Sequence, residues 1–162
     1  MSARRGPLDA EGFAAAVAAR GPLLGMDPGT KTLGLAISDD RRSLASPLET
    51  IERAKLSRDL ARLREIVDER GVAGIVVGMP VNMDGTPGPR AQSVRALIRE
   101  LEKALALPVL PWDERMSTAA VERGMLDADL TRATRAGLVD KLAAAYILQG
   151  ALDRLANMGA AG

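Results

Sequence analysis

The chain has 162 residues, enough to bury one full core and too few for two ordinary domains. Hydrophobic residues make up 47% and charged residues 27%, a globular balance, and a formal net charge of +1 means that any nucleic-acid binding must come from a local patch. The absence of histidine and cysteine excludes a Ser-His-Asp triad, thiol catalysis, disulfides and zinc ribbons, and three aromatic residues (Phe13, Trp112, Tyr146) are too few for a base-stacking platform.

Asp9 is placed to cap a short alanine-rich helix over residues 10–20, closed by Gly21-Pro22, so that residues 1–21 form a helical extension ahead of the first strand. The Arg4-Arg5 pair is followed by Asp9 and Glu11 rather than an unbroken apolar stretch, which argues against an export signal. No run reaches the ~18 apolar residues of a membrane span, so a soluble cytoplasmic protein is expected. Residues 22–27 and 32–38 read as two strands joined by a tight turn at Pro28-Gly29, with a third strand over 46–51. Leu56, Leu60, Leu63 and Val67 keep helical spacing and Gly71 would end that helix. Gly74-Ile75-Val76-Val77-Gly78 is the continuous apolar run of a strand covered on both faces.

A polar, Gly/Pro-rich loop over 80–89 leads to an amphipathic helix bearing Val94, Leu97, Ile98, Leu101 and Leu105. A fifth strand, over 109–112, runs into Asp113-Glu114-Arg115. Ser117 or Thr118 would cap a helix to about Met125, residues 127–136 read as a mobile loop, and residues 138–155 as the final helix. This order predicts an α/β fold, a mixed five-stranded sheet with helices on both faces. The core domain is expected to span residues 22–156, with a flexible tail over 157–162.

Three acids stand at places where a carboxylate is costly to desolvate and needs a partner. Asp27 ends the first strand, Glu114 follows the last, and Asp140 precedes Ala144, Ile147, Leu148 and Ala151 on an apolar helix face. If the strands are neighbours, these groups could meet at the sheet's edge. The plainer readings are a turn cap for Asp27, an ion pair within Asp113-Glu114-Arg115, and a favourable helix N-terminus for Asp140. Converging carboxylates without histidine suit Mg²⁺ or Mn²⁺, and a two-ion site would activate a water and stabilise the leaving oxygen in phosphodiester hydrolysis. Strand, Asp-x-Gly turn and strand also open actin-like and sugar-kinase ATPases, but those need two such domains around a nucleotide, and the length allows one.

Four motifs occur in order: Asp27-Pro28-Gly29-Thr30-Lys31-Thr32-Leu33-Gly34-Leu35-Ala36, Gly78-Met79-Pro80-Val81-Asn82-Met83-Asp84-Gly85-Thr86, Asp113-Glu114-Arg115-Met116-Ser117-Thr118 and Val139-Asp140-Lys141-Leu142-Ala143-Ala144. Together they resemble the YqgF/RuvX family of bacterial RNase H-like proteins, over about residues 22–152. The resemblance implies a three-layer RNase H-like fold, a cytoplasmic location and a metal-dependent endonuclease. It favours structured RNA as substrate, in 5′-end maturation of pre-16S rRNA within ribosomal precursor particles. Resolution of Holliday junctions in branched DNA is the alternative activity, and a non-catalytic ribosome-assembly factor the alternative class. Monomer and homodimer are both compatible with it. By motif matching, Asp27, Glu114 and Asp140 would be the catalytic, metal-binding acids.

Basic residues then acquire substrate-binding readings. Lys31 follows the turn and is either a phosphate contact or a solvated turn lysine, and Arg115 either pairs with Asp113 or reaches phosphate. Arg132, Arg135 and Lys141, around the expected loop beside Asp140, are the favoured phosphate contacts. Arg90, Arg95 and Arg99 recur along one helix and either track a nucleic-acid backbone or form a solvated face, the favoured reading. The loop bearing Asn82, Asp84 and Gly85 is long enough to touch substrate, with ordinary turn chemistry favoured for Asp84.

Overall fold

The computed structural model describes residues 9–80, 82, 84–114 and 132–161, and of residues 132–137, 160 and 161 the backbone alone. The elements run α1 (Ala10–Ala16), β1 (Leu23–Pro28), β2 (Thr32–Ser38), β3 (Ala45–Glu52), α2 (Leu56–Arg70), β4 (Gly74–Met79), α3 (Ala91–Leu105), β5 (Val109–Asp113) and α4 (Arg132–Ala161). They form one five-stranded sheet in the order β3-β2-β1-β4-β5. β1, β2 and β3 pair antiparallel as a meander, whereas β4 and β5 join parallel to β1 and to each other.

Strand alternation divides the core into two layers. Leu24 and Met26 of β1, Leu33 and Leu35 of β2, and Ile75 and Val77 of β4 face α2 and α3, where Leu63, Ile66, Val94, Ile98 and Leu101 close the packing. The alternate residues Leu23, Ala36, Val76, Leu110 and Trp112 face the other way, against Ile147, Leu148, Ala151 and Leu152 of α4 and Phe13 of α1. All six residues of β1 are buried, as a central strand covered on both faces requires. This is the expected mixed sheet with helices on both faces.

Helix ends differ more from expectation than the strands do. Gly71 ends α2 as read, in the left-handed conformation (φ 64°), with its N–H donating to Val67 O. α1 is capped by Asp9, whose carboxylate accepts from Gly12 N at 2.8 Å, but it stops at Ala16 rather than Arg20. Two tertiary contacts explain the early stop. Val17 is extended and packs against the α4-side core, and the Arg42 guanidinium donates to Ala18 O (2.6 Å) and Gly21 O (2.8 Å), satisfying carbonyls that a longer helix would have used.

The final helix is longer than the expected 138–155. It begins at Arg132, inside the span read as a loop, and its alanine-rich end continues to Ala161, through residues read as a tail. The expected helix to Met125 with its caps at Ser117 or Thr118, the remainder of that loop over 127–131, and Arg115 lie outside the described residues. Among the described residues no helix is long and apolar enough to cross a membrane.

Candidate active site

Asp27, the last-but-one residue of β1, is 6% exposed and faces α4, since Leu23 and Gly25 precede it at intervals of two. Its cross-strand partner on β2 is Gly34, and the β1–β4 register, which pairs Met26 with Val77, brings Gly78 alongside on the other flank. Both glycines act as windows. A Cβ on Gly34 would lie 2.1 Å from the carbonyl oxygen of Asp140, so α4 rests backbone to backbone on β2 at that point. A Cβ on Gly78 would lie 3.3 Å from Oε1 of Glu114 and 2.6 Å from Cδ1 of Ile147, which places the Glu114 carboxylate over β4 on the same face. The two-residue period through Leu110 and Trp112 thus carries on to Glu114, and Asp113 falls on the opposite phase.

The result is a cleft of about 200 Å³ lined by Asp27, Pro28, Gly29, Pro80, Arg90, Glu114 and Asp140. The three acids singled out in the sequence are therefore brought together from three elements, at the edge where the parallel strands β1, β4 and β5 end. Asp140 is held in place by Thr32, whose Oγ1 donates to Oδ2 at 2.6 Å. The turn between β1 and β2 is closed by Gly29 N donating to Thr32 O at 2.7 Å. Two arginines clamp it from outside: Arg53 Nη1 donates to Gly29 O at 2.7 Å and Arg90 Nη1 to Pro28 O at 3.1 Å.

Arg90 corrects the reading of its helix as a uniformly solvated face. It is only partly exposed and contributes the cleft's positive charge. The signal available for it is positional: it immediately precedes α3, after the loop leaving the end of β4, where α/β sheets gather their sites. Lys31, exposed in the turn, and Lys141, next to Asp140 on α4, adjoin the cleft without lining it. Arg132 and Arg135 belong to the first turns of α4, with their side chains outside the described residues, as is Arg115. The Asn82–Gly85 segment is the turn that its composition suggests. Asp84 Oδ1 accepts from Thr86 N at 3.0 Å, Asn82 Nδ2 donates to Thr86 Oγ1 at 2.9 Å, and Gly85 has φ 93°. A larger hollow of about 480 Å³ between β3 and α2 has its Glu49 and Arg62 side chains already bonded to each other.

Comparison with known proteins agrees with this architecture. The family profile described as "RuvX: Holliday junction resolvase" matches residues 21–154. A protein of Rhodobacter capsulatus named "Putative pre-16S rRNA nuclease" is 60% identical over 149 residues, covering 92% of this chain and 94% of its own length. A relative of the same name from Paracoccus denitrificans is 52% identical over 149 residues, covering 92% of this chain and 94% of its own. Among solved structures, Thermus thermophilus RuvC in complex with a Holliday junction substrate superposes with a TM-score of 0.52 at 21% identity, over 86% of this chain and 96% of that one, a likeness of fold. With the strand order, the three-layer packing and a profile match across the sheet and α4, the chain belongs to the RuvX family and has its RNase H-like fold.

Proposed function

We propose that this chain is a divalent-metal-dependent endonuclease that hydrolyses phosphodiester bonds in structured RNA of the pre-16S rRNA class, in the cytoplasm. The observation that carries the reading is the cleft itself. Asp27, Glu114 and Asp140, from β1, the end of β5 and α4, line one small cavity together with Arg90. A turn cap or a local ion pair would have no need of three carboxylates from three elements.

The donor set fits a hard cation. The described lining of the cleft offers carboxylate oxygens and no sulfur or imidazole, which suits Mg²⁺ or Mn²⁺. Among the described residues its lining carries three formal negative charges against the one positive charge of Arg90, and an approaching phosphodiester adds another negative charge. Among the described residues no three acidic side chains lie close enough to grip a single ion, so binding would require rotation of these side chains between staggered rotamers. When bound, such an ion supplies Lewis-acid polarisation of the phosphoryl oxygens and offsets this charge.

The chain's own groups define the rest of the chemistry. Carboxylates accept hydrogen bonds, so a water in the cleft donates its protons to them and keeps an oxygen lone pair available for attack on phosphorus. Arg90, anchored at Pro28 O, presents a guanidinium whose planar donors match phosphate oxygens and stabilise the charge that develops as the bond breaks. Thr32 keeps Asp140 from swinging away from the cleft.

The test is cleavage of a pre-16S rRNA fragment and of a four-way DNA junction, side by side in Mg²⁺ and in Mn²⁺, with wild type and Asp27→Asn. The expected outcome is metal-dependent cleavage of the RNA that Asp27→Asn abolishes while binding stays nearly intact. The family's description as a Holliday junction resolvase makes branched DNA the second reading, and preference for the junction would establish it. Binding without any cleavage that Asp27→Asn removes would mark the chain as a non-catalytic RNA-binding factor.

A further inference from the structure

A second groove, of about 370 Å³, opens beside the acid cleft between the start of α2 and residues 93–100 of α3. Leu97, Ala96 and Leu56 give it an apolar floor, and Leu56, at 39%, is unusually exposed for so large a hydrophobic residue. Arg53 and Arg99 supply positive charge, Ser93 a hydroxyl and Glu100 its carboxylate. The groove and the cleft share their dividing wall. Arg53, in the groove, donates from Nη1 to the carbonyl of Gly29, which lines the cleft. Ser93, also in the groove, donates from Oγ to the carbonyl of Arg90, which lines the cleft as well.

We propose that this groove is a nucleotide subsite, receiving the residue next to the phosphate seated in the acid cleft. Arg53 and Arg99 would hold the neighbouring phosphate, and the leucine and alanine floor would take the face of the base. An exposed leucine lining the same groove as two arginines matches the mixed character of a nucleotide, with its apolar base face and anionic backbone. The volume lies within the ~300–1,000 Å³ usual for small-ligand pockets. A guanidinium has five N–H donors, so the bond from Arg53 to Gly29 leaves capacity for phosphate. The same bond couples the subsite to the turn that bears Asp27. With no aromatic side chain in the groove, the base would rest on aliphatic surface rather than stack on a ring. The identity of the strand rests on the nuclease reading, but the test needs no turnover.

Binding of a fluorescein-labelled single-stranded RNA is measured by anisotropy in EDTA over a series of salt concentrations. Arg99→Gln is expected to weaken binding roughly fivefold and to make the salt dependence shallower by about 0.7, the share of one phosphate contact on a single strand. Arg70→Gln makes the same charge change at the other end of α2, beyond the opposite edge of the sheet, and is expected to bind as wild type does. Because the chain has no cysteine, Ala96→Cys gives a unique attachment point for a benzophenone in the groove, and Ala61→Cys one outside it. RNA is expected to crosslink from position 96 and not from position 61. Equal binding by Arg99→Gln and Arg70→Gln, or no crosslink from position 96, would overturn the subsite. Failure of wild type to cleave, with these binding results intact, would sink the nuclease reading alone.

Discussion

Gly34→Ala tests whether the site is built by a close approach of backbones. The added Cβ would sit 2.1 Å from the carbonyl oxygen of Asp140 and 2.4 Å from its carbonyl carbon, whereas ordinary contact begins at 3.4 Å. α4 would have to withdraw locally by about 1.3 Å, the difference between those oxygen distances. The obstacle is backbone rather than a flexible side chain, so the cost belongs at the upper end of overpacking, about 3 kcal/mol. For a chain of this length that lowers the melting temperature by roughly 6–12 °C. The withdrawal also pulls Asp140 off the hydroxyl of Thr32, now 2.6 Å away, and a displacement on the order of 1 Å at a reacting site lowers the rate about 10²-fold. Thermal unfolding and RNA cleavage are both measured, with Gly71→Ala as the control. Gly71 is left-handed and has nothing within 4 Å of a would-be Cβ, so its substitution costs about 1–2 kcal/mol of conformational strain and leaves the site intact. A Gly34→Ala protein that melts within about a degree of wild type, or that cleaves as well as Gly71→Ala does, would refute the reasoning.

Thr32→Val keeps the side-chain shape and deletes the donor to Asp140, which should cost about 1.5 kcal/mol in urea unfolding and weaken Mn²⁺ affinity by at least roughly tenfold; an unchanged affinity would show that Thr32 does not position the acid. Arg90→Gln should lower the cleavage rate on the order of 10²-fold with little change in melting temperature, and a loss of stability without a rate effect would reduce Arg90 to a clamp on the turn. Glu49 is held below its ordinary carboxyl pKa of 4.5 by the bidentate hydrogen bonds from Arg62, against the opposing effect of burial. Because the folded value is the lower one, the pair's contribution is present above 4.5 and is lost as pH falls through the depressed value. With side chains 31% and 38% exposed, solvent screening limits it to about 1 kcal/mol, so Glu49→Gln should lower the unfolding free energy by up to that much near neutral pH and by nothing in strong acid.

What could be read from the sequence was local, and what could not depended on register and topology. The helical period of Val94, Leu97, Ile98, Leu101 and Leu105 located the buried face of α3. It said nothing of Arg90 at the helix start, because that residue's place depends on β4 lying beside β1 in the sheet. α1 overran in the reading for the same kind of reason: alanines favour continuing the helix, but Val17 and the guanidinium of Arg42, from a distant turn, end it. The acids show the division most clearly. Each was visible as a carboxylate in an awkward place, but Glu114 was preferred to Asp113 on motif resemblance alone, and only the sheet shows Glu114 continuing the phase of Leu110 and Trp112. Their convergence needed two further residues whose absence of a side chain is the operative feature. Gly34 and Gly78 look in sequence like weak points in apolar strands, where glycine costs conformational entropy and packs nothing. In the sheet they flank Asp27 on the α4 side, one beneath the backbone of Asp140 and the other beneath the carboxylate of Glu114. The stability forgone at these glycines is thus tied to bringing the second and third acids close to the first.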